Sequence, residues 1–249
     1  MSQAARSWWS WTSSAVLLVA LLAGCGRGDK AGQIEGPYGA GAKQVWVTHS
    51  RGDPKAVVVM LHGLSPTPAR LDFKRWQRHL AEEGYDVIYA RYEARSGEPR
   101  ARDGVVAGVR NGLAELGKPK APLVLVGHSR GGRLAVEAAA YLKPRGAIAI
   151  YPGLINPAYE PPTNFSKIPA TTSIWLLVGD RDEGVGAAGA VELLDRLHSF
   201  GITNGQIHGE LVRSNTSFVA DHMSVYRTDP AAQKAIWARV DRLIRRSIS

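Results

Sequence analysis

A single cysteine stands in the 249 residues, at position 25, so no disulfide can close within the chain and no cluster of thiolates can hold a metal. Long apolar stretches are missing as well. The longest is Ala15 to Ala23, nine residues, whereas a membrane-spanning helix needs about 20. No repeat recurs, and no glycine-rich phosphate loop, dinucleotide glycine motif or metal-spaced His/Asp/Glu cluster is present, so no cofactor is implied. Basic side chains outnumber acidic ones by 31 to 22, a formal net charge of +9. They are scattered, however: Lys74, Arg75 and Arg78 fall on one helical pattern, and Arg239, Arg242, Arg245 and Arg246 on another. No aromatic residues interleave them as a base-stacking surface would require, so nucleic acid is not the expected partner. A solvated face near anionic lipid headgroups is the reading that remains. With 45% hydrophobic residues, the length suits one sizeable globular domain.

The amino terminus is a segment of another kind. Arg6 is the only charge before Cys25, and the nine-residue apolar run fits a signal-peptide core of about 7–15 residues. The run closes on Leu22-Ala23-Gly24-Cys25, which resembles the lipobox of bacterial lipoproteins. That resemblance implies removal of residues 1–24, acylation of Cys25 with a diacylglyceryl group and fatty chains such as palmitate, and an exported protein anchored to a bacterial cell membrane. Two or more acyl chains anchor stably where one is marginal. Residues 26–43 are rich in glycine, with Ile34 and Tyr38 as the only large apolar side chains. They read as a flexible tether reaching about 25 Å. The expected organisation is therefore a signal peptide at 1–24, a lipidated cysteine and tether at 25–43, and one domain at 44–249.

Within that domain everything turns on Leu123-Val124-Leu125-Val126-Gly127-His128-Ser129-Arg130-Gly131-Gly132. A β-branched apolar run ends abruptly, and an alanine-rich helical pattern follows (Leu134, Ala135, Ala138, Leu142). This is the strand, sharp turn and helix that a G-x-S-x-G nucleophile elbow requires. Gly127 and Gly131 are demanded because a Cβ at either would collide where strand and helix cross. Ser129 is thereby held out at the carboxyl end of a strand, where open α/β sheets bind ligands.

On either side, apolar runs alternate with helical spacing. Besides the elbow strand and the helix that follows it, strands are expected at 44–49, 57–61, 86–90, 146–150, 174–178 and 206–212. Further helices are expected at 68–83, 103–116, 187–200 and 231–248. Such alternation implies right-handed crossovers and a mostly parallel sheet covered on both faces. From residue 44 to the carboxyl terminus the chain resembles an α/β-hydrolase of the esterase and lipase type, without room for a large cap domain. The proline-rich loop at 151–172 is the sole candidate lid.

The resemblance implies a nucleophile, acid and base met in that order by Ser129, Asp182 and His222. It also implies an oxyanion hole from the backbone N–H groups of Leu64, after the His62-Gly63 strand end, and Arg130, directly after the nucleophile. His62 and His128 are expected to brace the two motif loops. His49, His79, His198 and His208 fall in strand or helix patterns and read as packing or surface residues. Three carboxylates compete to orient the base. Glu160 lies on a segment that looks hard to hold still, with little expected of its loss. Asp180, just after a glycine turn, is expected to fix its own loop. Asp182 matches the family's acid position. The expected activity is hydrolysis of small-molecule or lipid carboxylic esters through an acyl-enzyme on Ser129. Thioesterase or acyltransferase chemistry on the same residues, or a non-catalytic binding lipoprotein, are the alternatives, because fold alone does not choose among them.

Overall fold

The computed structural model describes residues 30–65, 73–156 and 160–249. The expected signal peptide at 1–24, Cys25 and the start of the tether lie outside the described residues. One eight-stranded sheet runs through the molecule in the order β1-β2-β4-β3-β5-β6-β7-β8. Its strands are β1 (Ile34–Tyr38), β2 (Val45–Thr48), β3 (Val57–Leu61), β4 (Asp86–Ala90), β5 (Leu123–His128), β6 (Gly146–Ile150), β7 (Ser173–Gly179) and β8 (Ile207–Val212). The pairings β1–β2 and β2–β4 are antiparallel, and all the others are parallel. This is an α/β-hydrolase fold.

Continuous apolar runs make the central strands because both faces of the sheet are covered. Every residue of β3 is buried. Val58 and Met60 join one core, with Trp76 and Leu80 from α1 (Lys74–Glu82). Trp237, Val240, Leu243 and Ile244 from the chain's last helical segment complete it. Val57, Val59 and Leu61 point the opposite way, into a core shared with α2 (Ala101–Glu115) and α3 (Arg130–Leu142). A third cluster packs α4 (Ala188–Ser199) against Ala147, Ala149, Ile174 and Leu176 of β6 and β7. The first face is closed by Trp76 stacked on Trp237, ring centroids 5.6 Å apart and planes 7° apart. Among the described residues, no helix is long and apolar enough to cross a membrane.

Two expectations need correction. The tether read over 25–43 is too long, since Ile34–Tyr38 forms the edge strand β1, paired antiparallel to β2 with Ile34 opposite Thr48 and Tyr38 opposite Val45. An edge strand is held by main-chain hydrogen bonds more than by burial, so it shows no apolar alternation for sequence reading to find. Gly36 (φ 122°) suits this path, because a Cβ there would lie 2.8 Å from the Val45 carbonyl oxygen. The closing helix is also not continuous. It runs as α5 (Pro230–Ala232), a π-helical turn at Gln233–Trp237, and α6 (Ala238–Ile248). The wider turn carries Ile236 and Trp237, both buried in the first core. The segment between β6 and β7 holds only a single 3-10 turn, Phe165–Lys167, among its described residues. The parallel strands β3 and β5–β8 all end on one side of the molecule, which brings together the loops that follow them.

Candidate active site

Strand β5 leads into α3 through Ser129, whose φ of 54° and ψ of −122° lie far from the regions an L-residue prefers. Such strain costs about 1–3 kcal/mol and persists only where the surroundings over-determine it. Here they do. The Ser129 N–H donates to the Ile150 carbonyl (3.0 Å), and its own carbonyl accepts from Gly153 N–H (2.9 Å) and Arg133 N–H (3.1 Å). The two flanking glycines are required by close approach. A Cβ on Gly127 would lie 2.1 Å from the Gly131 carbonyl oxygen, and one on Gly131 would lie 2.2 Å from that of His62.

The loops after β7 and β8 bring two further side chains to the serine. Ser129 Oγ lies 3.0 Å from His222 Nε2, and His222 Nδ1 lies 2.9 Å from Asp182 Oδ2. A carboxylate can only accept, so Nδ1 carries the imidazole proton and Nε2 is left to accept from the serine hydroxyl. The other Asp182 oxygen accepts the N–H groups of Gly184 (2.9 Å) and Val185 (3.0 Å), which fixes the carboxylate in its loop. Burial pushes the Asp182 carboxyl up, but the hydrogen bond from His222 and the loop amides outweigh it, and the net shift is downward. Its side chain is fully covered, while that of His222 remains 21% exposed and open to water.

The remaining carboxylates fall elsewhere. Asp180 caps the neighbouring loop, accepting from Ser214 N–H and Oγ and not approaching His222. Glu160 departs from expectation. Instead of lying on a loose segment it is 4% exposed and accepts N–H groups from Ala101 (3.0 Å) and Arg102 (3.4 Å) at the start of α2. It also pairs with the Arg130 guanidinium at 3.2 Å. Arg130 meets Glu93 on its other side and donates to the Glu98 carbonyl at 2.6 Å. Burial raises the Glu93 carboxyl, with Arg130 opposing that shift. A web of ion pairs thus lies under the elbow and draws the Arg130 side chain inward. No local motif announces it, since Glu93, Arg130 and Glu160 stand about 30 residues apart along the chain.

The loop after β3 touches the serine directly. A Cβ on Gly63 would lie 3.2 Å from Ser129 Cβ and 3.0 Å from His128 Nδ1. Gly63 N–H is taken by the Tyr226 hydroxyl (3.0 Å). Among the described residues, no acceptor meets the backbone N–H of Leu64 or of Arg130, the first residue of α3. A free N–H at a helix amino terminus favours an anion. His62 lies within its own loop, stacked on Tyr92 with centroids 4.2 Å apart, and one ring nitrogen reaches the Arg91 carbonyl at 2.9 Å. His49, His79, His198 and His208 are engaged far from Ser129, with Glu35, Asp241, Asn204 and Trp175 respectively.

Beside His222 a cleft of about 650 Å³ opens between the two loops, lined by Arg181, Glu183, Asn215, Val219, Asp221 and Met223 among others. Leu64, in the loop after β3, and Met223, beside His222 in sequence, are 60% and 61% exposed. Among the described residues, no group of three or more His, Cys, Asp or Glu side chains is placed to hold a metal ion.

Residues 58–246 match the family model described as the alpha/beta hydrolase family. No curated protein matches the chain. Among solved structures, esterase B from Lactobacillus rhamnosis, inhibited by a tributyrin phosphonate, superposes with a TM-score of 0.63 at 16% identity, over 86% of this chain and 85% of that one. An esterase from Pyrococcus furiosus gives 0.59 at 16% identity over 83% and 86%. A thermostable carboxyl esterase from Bacillus coagulans gives 0.58 at 12% identity over 83% and 94%. At these identities the likeness is one of fold.

Proposed function

The chain belongs to the alpha/beta hydrolase family, and we propose that within it this protein is a serine hydrolase of carboxylic esters. The observation that carries the reading is the unbroken hydrogen-bond chain Ser129 Oγ–His222–Asp182, with spacings of 3.0 and 2.9 Å. As Ser129 Oγ attacks the ester carbonyl carbon, His222 Nε2 takes the hydroxyl proton. Asp182 holds the imidazole in its tautomer and stabilises the imidazolium that forms. The carbonyl electrons move onto the oxygen, which faces the N–H groups of Leu64 and Arg130. Removing one such donor costs about 3–4 kcal/mol in related chemistry. The tetrahedral intermediate then collapses, the ester C–O bond breaks, and His222 returns the proton to the leaving alkoxide. Water, deprotonated by the same histidine, releases the acid and regenerates Ser129.

The exposed edge of His222 and the open cleft beside it favour water as the acceptor over transfer to a second alcohol. That the solved neighbours include esterases is consistent with this choice. A panel of p-nitrophenyl esters of graded acyl length, with thioester and anilide counterparts, tests it on the folded chain. Esters should be cleaved fastest. A preference for thioesters would mark a thioesterase, and a folded chain that cleaves nothing would mark a binding protein.

The Leu22-Ala23-Gly24-Cys25 pattern supports a second part of the proposal, that the protein is exported and anchored to a bacterial membrane through acylated Cys25. Cys25→Ser should move the protein from the membrane to the soluble fraction and abolish the acyl mass increment. Unchanged fractionation and mass would refute the anchor.

A further inference from the structure

Three backbone and side-chain hydrogen bonds, none of them in the Ser129–His222–Asp182 chain, tie its loops together. Gly63 N–H donates to Tyr226 Oη at 3.0 Å. Tyr226 Oη lies 3.0 Å from His128 Nδ1, and His128 Nε2 lies 2.8 Å from the carbonyl oxygen of His222. The directions are fixed by chemistry. A carbonyl can only accept, so His128 Nε2 carries the proton and Nδ1 accepts from the Tyr226 hydroxyl, whose oxygen in turn accepts from Gly63. Burial pushes His128 down to about 3, so the ring is neutral throughout the working range and keeps this one tautomer.

We propose that Tyr226 and His128 are positioning residues for the ester hydrolysis described above, setting the base and the oxyanion donor through one hydrogen-bond chain. The inference rests on that reading of the site. His128 sits on the strand end immediately before Ser129, so the carbonyl it holds fixes the main chain of His222 relative to the nucleophile. At the other end, Tyr226 occupies the Gly63 N–H. The next amide, Leu64, is then the one left to face the developing oxyanion, and the loop cannot slip by one residue without breaking the bond. Tyr226 is itself held by stacking on Phe73, with centroids 5.1 Å apart and planes 16° apart. A neutral His128 also matters, because its ring centroid lies 4.7 Å from that of His222, which becomes cationic during the reaction. A charged neighbour there would oppose that step.

The test uses the full chain, with kcat expressed per active site titrated by a fluorophosphonate. Tyr226→Phe removes one oxygen and keeps the stacking on Phe73. Misplacement of catalytic groups by about 1 Å costs about 100-fold, so this variant should lose about 10- to 100-fold in kcat with KM within about twofold. A residue that merely stabilised the fold would lower the number of titratable sites and leave kcat per site unchanged. His128→Gln retains an N–H donor that can reach the His222 carbonyl and should keep more of kcat than His128→Leu. If the leucine variant does not fold, Tyr226→Phe alone decides. Wild-type kcat per site in Tyr226→Phe, or equal values for the glutamine and leucine variants, would overturn the inference. A wild-type chain that cleaves no ester would instead refute the function on which it rests.

Discussion

Replacing Asp182 by asparagine changes one oxygen for one NH2 group, and the structure dictates which way the new amide must face. Asp182 Oδ1 accepts two loop N–H groups, from Gly184 and Val185, while Oδ2 accepts from His222 Nδ1. Asparagine has one carbonyl. Turned toward the loop it preserves two hydrogen bonds; turned toward His222 it would set its NH2 against two backbone donors. The amide nitrogen therefore faces His222 and donates to Nδ1, which can accept only when unprotonated. The imidazole proton moves to Nε2, the position that faces Ser129 at 3.0 Å, and the base is lost. A wrong tautomer of this kind costs about 10⁴-fold in kcat, or about 5.4 kcal/mol at about 1.36 kcal/mol per tenfold. Stability should fall by only about 1–2 kcal/mol, one hydrogen bond to an ionised group having been replaced. The assay is kcat on a p-nitrophenyl ester, with circular dichroism to establish the fold. A folded Asp182→Asn protein within tenfold of wild type would refute the reasoning.

The other carboxylates should behave differently. Asp180→Asn frees Ser214 and its loop and should lower Tm while leaving kcat within a few-fold. Hydrogen bonds from Ser214 hold the Asp180 carboxyl below its ordinary value, so its contribution is present above the unfolded value and lost as pH falls through the folded one. Equal Tm for mutant and wild type at pH 7 would count against this. Glu160→Gln breaks a buried ion pair with Arg130 and weakens the start of α2, and it should cost about 3 kcal/mol in urea unfolding; a loss below about 0.5 kcal/mol would contradict it. His79 donates a hydrogen bond to Asp241, which raises its imidazole above the ordinary value, against some desolvation. Its contribution is complete below the unfolded value and lost as pH rises through the folded one. The gap in stability between wild type and His79→Gln should therefore be wider at pH 5.5 than at pH 9, and a gap independent of pH would exclude the pair.

What could be read from the residues alone follows from the range of the forces involved. The central strands are legible because both their faces are buried, which leaves continuous runs such as Val57–Leu61. The elbow is legible because its steric demands fall on neighbours, Gly127, Ser129 and Gly131. Residues 182 and 222 were reachable only through chain order after predicted strands, and the structure brings both to Ser129. Strand β1 is not legible because Ile-Glu-Gly-Pro-Tyr shows no apolar pattern and its partner strand begins seven residues later. The π-helical turn at 233–237 shares the apolar spacing of an ordinary helix. The Glu93–Arg130–Glu160 web and the Gly63–Tyr226–His128–His222 chain were beyond reach, because their members meet only when strands distant in sequence pair in the sheet.

The central claim is that Ser129 is a nucleophile activated by His222. Mass spectrometry of the folded chain after treatment with a fluorophosphonate tests it at the atom in question. One adduct on the peptide that contains Ser129 is expected, with no adduct and no ester cleavage in Ser129→Ala. A folded wild-type chain that takes no adduct, or a Ser129→Ala protein that still cleaves esters, would contradict the account.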